Sequence, residues 1–197
     1  MQTLKCFLDR NLAHLLDMTR YCLFKIQILL HCKSRYFVFD IDNTLASSWI
    51  SFLQSNWNSE HERLMSLARL PSMFRIFKSV NNLVPDAKII FLSARNFRYF
   101  STTYKWLDIN GFNPSIRNVI LTPNAKDKIK YLRVISSKAS HCYLFDDLSF
   151  GHESGAVSYY EDLIADIRSL KIVYFGYQAI CEIEANKIPL NLLLPKT

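Results

Sequence analysis

Apolar positions divide this chain into short solid runs and longer periodic stretches. Leu4, Phe7, Leu8, Leu12, Leu15 and Leu16 recur at steps of three and four residues, the spacing of one helix face. Tyr21 to Cys32 is nearly all apolar, with Lys25 and Gln27 as interruptions. Residues 1–34 are therefore predicted as an N-terminal helical segment of one helix or two. The rhythm then changes. Tyr36-Phe-Val-Phe39, Lys88-Ile-Ile-Phe-Leu92, Asn118-Val-Ile-Leu121, Cys142-Tyr-Leu-Phe145 and Lys171-Ile-Val-Tyr-Phe175 are short runs rich in β-branched and aromatic residues. Such runs fill strands buried on both faces. Helical patterns lie between them, from Ala46 to about Asn82, Thr102 to Asn110, Ala125 to Ser136 and Tyr159 to Leu170. Short buried strands alternating with helices predict an α/β, three-layer Rossmann-like fold with a five-stranded parallel sheet. No repeat or linker divides the remainder, so 35–197 reads as one domain with a short helical insertion around 46–82.

Composition narrows the class without changing that picture. A chain of 197 residues buries a sizeable core without staples. Four glycines and six prolines are too few for a fibrous protein and weigh against an all-β fold rich in tight turns. Cys6, Cys22, Cys32, Cys142 and Cys181 are odd in number and never form C-x-x-C. They read as thiols in a reducing compartment rather than a disulfide framework or zinc site. Leu12 to Cys32 is the best candidate for a membrane span, but Asp17, Arg20 and Lys25 interrupt it. Its apolar stretch starts too late for a signal peptide, and a cytoplasmic location is expected. The net charge of +7 favours anionic partners: phosphates, nucleic acid or an acidic membrane surface. Lys5, Arg10, Arg20, Lys25, Lys33 and Arg35 would suit an N-terminal helix lying on acidic lipid or docking a protein partner. Plain packing on the domain is the other reading of that segment.

The chemistry-bearing residues cluster at strand ends. Asp40, Asp42 and Thr44 follow the first strand, Ser93 and Arg95 the second, Lys126 and Lys128 the third, and Asp146 and Asp147 the fourth. In an open parallel sheet, ligands bind beyond the carboxyl ends of the strands, so these groups are expected to converge. Four carboxylates in one crevice repel one another unless a cation joins them. A hard divalent ion with oxygen ligands resolves this, and Mg²⁺ suits a site that also holds phosphate. A lysine and a serine hydroxyl complete a cage for phosphoryl oxygens, and a carboxylate can attack phosphorus. Each residue also has a bland reading. A lone Asp-x-Asp is commonly a solvated turn, and Ser93 can cap the next helix. Arg95 is either structural or a substrate contact. His152, at Ser149-Phe-Gly-His-Glu153, is a surface-loop histidine or lines the mouth of the site. Trp49, Phe52 and Trp57 fall at helical spacing as core aromatics, with Trp49 near enough to meet a substrate.

Tyr36-Phe-Val-Phe-Asp-Ile-Asp-Asn-Thr-Leu45 resembles motif I of the haloacid dehalogenase superfamily, D-x-D-x-[TV] after a hydrophobic strand. Phe91-Leu-Ser93 resembles motif II, Lys126 or Lys128 the motif III lysine, and Leu144-Phe-Asp-Asp147 the acids of motif IV, in the right order over roughly Tyr36 to Tyr177. The resemblance implies that Asp40 is the nucleophile and Asp42 the general acid and base, with its backbone carbonyl on the metal. It implies that Ser93 binds a phosphoryl oxygen, that Lys128 or Lys126 neutralises charge, and that Asp146 and Asp147 hold Mg²⁺. An acid at position 42 favours phosphate ester hydrolysis, because the superfamily's ATPases and dehalogenases lack one there. The spacing between motifs leaves room for a small helical insertion and no full cap domain, so the type looks capless or nearly so. Leu92-Ser-Ala-Arg, Thr103-Tyr-Lys-Trp-Leu and the Asp-Asp pair are also loosely similar to the phosphatase domain of polynucleotide kinase-phosphatases. The expected function is a Mg²⁺-dependent phosphomonoesterase acting on a phosphorylated small molecule. A nucleic-acid end phosphatase and a catalytically silent binding or scaffold protein are the alternatives.

Overall fold

The computed structural model describes residues 2–31, 33–54, 56–84 and 86–188, with side chains from Leu15 onward except those of residues 16 and 153. The side chains of Leu4, Lys5, Cys6, Phe7, Leu8, Arg10, Leu12 and Leu16, all of Cys32, and residues 189–197 lie outside that description. The elements run α1 (Gln2–Leu30), β1 (Arg35–Phe39), β2 (Ala46–Ser47), α2 (Trp49–Leu53), α3 (Glu60–Met65), β3 (Ala68–Arg69) and α4 (Pro71–Leu83). There follow β4 (Ala87–Ser93), α5 (Phe100–Ile109), β5 (Val119–Leu121), α6 (Lys128–Lys138), β6 (His141–Phe145) and β7 (Ser149–Phe150). The chain closes with β8 (Ser158–Tyr159), α7 (Glu161–Arg168), β9 (Val173–Phe175) and α8 (Tyr177–Glu184).

The five expected strands form one sheet in the order β5-β4-β1-β6-β9, every neighbouring pair parallel. The α/β, three-layer Rossmann-like architecture is thus the fold of this chain. Alternation along β1 divides the core. Phe37 and Phe39 face one layer, where they meet Met73, Phe77 and Val80 of α4, Trp106 of α5 and Ile180 of α8. Phe39 and Phe145 stack at 4.9 Å, and Phe145 and Phe175 at 4.6 Å. Tyr36 and Val38 face the other layer, with Tyr131 and Ile135 of α6, Ile167 of α7, and Phe24 and Ile28 of α1. Each such side chain contributes roughly 1.5–3 kcal/mol by leaving water. Phe24 and Ile28 therefore make the C-terminal half of α1 part of this core.

Register sets the site. Phe39 lies opposite Phe91 and Phe145, so β1 and β6 end level, and β4 runs two residues further to Ser93. The amide of Asp40 donates to the carbonyl of Phe145 at 2.8 Å, and that of Asp146 to Phe175 at 3.1 Å. The helical stretch 46–82 is divided into three helices, α2, α3 and α4. It holds two short helices between the two-residue strands β2 and β3, which pair antiparallel with Ala46 opposite Arg69. The polar run before Ser59 cannot hold an amphipathic face, and Ser59 restarts the helix as a cap, its side chain accepting from the amide of Glu62. Pro71 then opens α4, where its missing amide hydrogen costs nothing. The antiparallel β7–β8 ribbon and α8 were not expected from the pattern.

Candidate active site

The turn after β1 is built by side chains that hold its own backbone. Asn43 takes a left-handed conformation, φ 54°, which asparagine tolerates well. Its side-chain oxygen accepts from the amide of Ser48 at 3.2 Å, the hydroxyl of Ser48 at 2.8 Å and the amide of Trp49 at 3.0 Å. Those bonds fix α2 beside the strand ends. The Thr44 hydroxyl accepts from the amide of Asp147 at 3.2 Å, which ties this turn to the one after β6. Asp146 in turn accepts from the amide of Leu148 at 3.1 Å.

Asp40, Asp146 and Asp147 are all buried, and each offers a carboxylate oxygen within 4.8 Å of the others. Lys128 stands among them, 3% exposed, with its ammonium 2.7 Å from Asp146 Oδ2 and 3.0 Å from Asp40 Oδ1. The contact to Asp40 is an ion pair without an aligned hydrogen bond, and Asp40 Oδ1 has no hydrogen-bond partner. Ser93 Oγ is likewise buried with no partner. Asn96, rather than Ser93, caps the next turn, accepting from the amide of Arg98. A buried hydroxyl left unmatched costs on the order of 1–3 kcal/mol, a cost that a ligand oxygen in the cleft would remove.

The candidate residues do not all meet. Lys126 is exposed and outside the cleft, because it precedes the first turn of α6 while Lys128 begins that helix on its buried side. Arg95 is buried and forks onto Asp42, its Nε 2.7 Å from Oδ2 and its Nη2 2.8 Å from Oδ1. The carboxylate of Asp42 thereby points to Arg95 and is not one of the three that cluster. This pairing was not foreseen, since residues 53 positions apart in sequence carry no local signal of it. His152 was legible only as an open choice. Its ring is 6% exposed, with Nε2 2.6 Å from Ser149 Oγ and 3.8 Å from Asp147 Oδ2, so it stands at the site.

Asp40, Asp42, Ser93, Arg95, Lys128, Asp146 and Asp147 share a cleft of about 410 Å³ at the strand ends, lined also by Trp49, Phe52, Tyr99, Phe150 and Tyr160. Burial pushes the Asp40 carboxyl up, Lys128 opposes this and Asp146 and Asp42 reinforce it, leaving it at about 7. Asp146 is held up at about 6, again by burial first, with Lys128 opposing and Asp147 adding to the rise. Asp147 is raised as well, mainly by burial. For Lys128, burial favours the neutral amine, but Asp146 and Asp40 outweigh it and raise the group above its ordinary value. For Asp42, burial would raise the carboxyl, yet the Arg95 fork holds it below the usual range.

Lys128 thus pairs with two of three clustered buried carboxylates, a donor set of hard oxygens that fits a small divalent cation. Protons and metal compete for those oxygens. Raised folded-state values mean that the carboxyls keep protons that the unfolded chain has already released. The metal-free fold therefore loses stability as pH rises from about 4 through 6 and 7. Millimolar Mg²⁺ should accordingly raise the melting temperature, and the gap between melts in Mg²⁺ and in chelator should widen from pH 5 to pH 8. A gap that is absent, or that narrows over this range, would contradict the assignment of these acids to a metal.

No protein-family model matches the chain, and no curated protein matches it. Among solved structures, the chain is similar to the class C acid phosphatase of Bacillus anthracis, at 15% identity with a TM-score of 0.49, over 94% of this chain and 91% of that one. The same enzyme with tungstate bound gives 15% identity and a TM-score of 0.48, over 88% and 91%.

Proposed function

We propose that this chain is a Mg²⁺-dependent phosphomonoesterase of the haloacid dehalogenase type, working through an aspartyl-phosphate on Asp40. The observation that supports it most is the meeting of Asp40, Asp146 and Asp147 around Lys128 beside an unmatched, buried Ser93 hydroxyl. A nucleophile, a fixed cation, a hydroxyl donor and a divalent-metal donor set together are what phosphoryl transfer requires. Bound by Asp40, Asp146 and Asp147, Mg²⁺ would offset the charge of the carboxylates and of the phosphoryl oxygens.

In this reading one Asp40 oxygen attacks phosphorus, and the bond from phosphorus to the ester oxygen breaks. Asp42 delivers a proton to the departing oxygen. Asp42 then takes a proton from water, whose oxygen displaces Asp40 from phosphorus and releases inorganic phosphate. Lys128 holds the Asp40 carboxylate in place, and Ser93 donates to a phosphoryl oxygen. The Arg95 fork favours the charged form of Asp42 over the protonated one. The phosphoryl group of the substrate, a competing anion, draws the guanidinium away and frees Asp42 to act as acid. Arg95 thus contacts substrate and positions Asp42 in turn.

The rim indicates the leaving group. Trp49 is 38% exposed, Phe52 55% and Phe150 46%, all at the mouth of the cleft. Exposed aromatics around a phosphate cradle suit a planar leaving group, since stacking contributes about 0.5–1.5 kcal/mol beyond burial. A phosphorylated small molecule with an aromatic leaving group is therefore the substrate class. The test is hydrolysis of an aryl phosphate and of glycerol phosphate, each with Mg²⁺ and with chelator. Metal-dependent release of phosphate, faster from the aryl ester, is expected, and Trp49→Ala should raise KM for that ester several-fold. Failure to hydrolyse either would overturn the reading. Preference for phosphorylated oligonucleotide ends, weakening steeply with salt, would favour the nucleic-acid alternative instead.

A further inference from the structure

We propose that α1 and the basic edge beside it dock this protein on an anionic lipid bilayer. The first observation is the outer face of α1. Its inner face carries Asp17, Phe24 and Ile28, all buried. Its outer face carries Leu15 (61% exposed), Met18 (52%), Leu23 (61%), Ile26 (52%), Leu29 (59%) and Leu30 (71%). At 3.6 residues per turn these span an arc of about 140°, shared between Leu15 and Leu30 with Thr19 and the exposed thiol of Cys22. Thr19 satisfies its hydroxyl on the carbonyl of Leu15. A continuous apolar strip of this length on the outside of a domain marks an interaction face. None of the helices searched among the described residues is long and apolar enough to cross a membrane, so this helix would lie along the surface rather than span it.

The second observation is charge. Among the described side chains of α1, no carboxylate stands on the arc. Asp17 is turned inward, where it pairs with Lys130 and accepts from the Tyr131 hydroxyl at 2.8 Å. Lys25 borders one edge of the arc, with its ammonium over the Tyr21 ring. Beyond the other edge, Gln27 and His31 of the same helical segment line a separate cavity with Lys33, Lys88 and Arg117. Arg20 fastens that side to the helix by donating to the carbonyls of Ile116 and Val119, which leaves Ile116 64% exposed beside Arg117. Neither Lys88 nor Arg117 has an ion-pair partner among the described residues. Burial, and then Arg117 and Lys33, push the Lys88 ammonium below its ordinary value.

The pattern selects the occupant. With cations at both edges, a second copy of the chain would set like charges against each other. A bilayer carrying anionic headgroups would meet the apolar arc and both basic edges at once. The basic edge lies at the opposite end of the strands from the catalytic cleft, as the positions of Ala87, Lys88 and Arg117 show.

The test is co-sedimentation of the full chain with vesicles of pure phosphatidylcholine and of phosphatidylcholine mixed equally with phosphatidylglycerol. Binding to the mixed vesicles at low salt, and little to the neutral ones, is expected. Lys88→Gln with Arg117→Gln should weaken that binding roughly 30-fold, since each cation near an anionic surface is worth about a fivefold change. Ile26→Gln with Leu29→Gln should abolish it while leaving the melting temperature within a few degrees, because both positions are exposed. Equal binding to both vesicle types, or none to either, would overturn the proposal. So would a stable dimer in light scattering that the Ile26 and Leu29 changes dissociate.

Discussion

Asp40→Asn is expected to fold like the parent chain and to lose at least about 10³-fold in turnover. The amide has nearly the shape of the carboxylate, and the Asp40 backbone bond to Phe145 does not involve the side chain. What disappears is the oxygen that attacks phosphorus. The change also removes one of three buried acids whose carboxyls burial has pushed up, Asp40 to about 7. The metal-free variant should therefore melt no lower than the parent at pH 7 to 8, and its response to Mg²⁺ should shrink. The two readouts separate chemistry from folding: activity collapses while stability holds. A variant that turns over aryl phosphate at the parent rate would rule out Asp40 as nucleophile.

Lys128→Ala is expected to be the most destabilising single change at the site. Its ammonium is buried between Asp40 and Asp146 at 3.0 and 2.7 Å. Removing it leaves uncompensated carboxylates, which typically costs about 3–5 kcal/mol for a buried pair. For a chain of this size that corresponds to a fall of roughly 10 °C in melting temperature in chelator. Mg²⁺ supplies a replacement cation, so it should recover more stability in this variant than in the parent chain. Lys126→Ala is the control. That residue is exposed and outside the cleft, so neither melt nor turnover should move appreciably. Equal effects of the two substitutions would contradict the placement of Lys128.

Parallel strands buried on both faces read as solid apolar runs, which is why β1, β4, β5, β6 and β9 were legible to within a residue or two. Because such strands end along one edge of the sheet, the residues at and just beyond their ends were legible as a group. Asp40, Ser93, Lys128, Asp146 and Asp147 all reach the one cleft. Shorter features left no trace. The strands of the β2–β3 and β7–β8 pairs are two residues each, below any periodicity a sequence can display. The fork of Arg95 onto Asp42 depends on how two strand ends are set side by side, so sequence showed both residues and not their contact. The N-terminal segment was legible as helical, yet its apolar residues ring the helix. Which face packs on Tyr131 and which stays outside follows only from the position of α6.

The central claim is that Asp40 becomes covalently phosphorylated during hydrolysis. Borohydride reduces an acyl phosphate, so trapping under turnover and mapping by mass spectrometry reports that step directly. The chain is mixed with aryl phosphate and Mg²⁺, quenched, reduced and digested. The account predicts a peptide spanning Asp40 in which that side chain alone has been reduced to the alcohol, and no such product in chelator. Hydrolysis that proceeds with no reduced peptide, or with the reduction at Asp146 or Asp147, would contradict it.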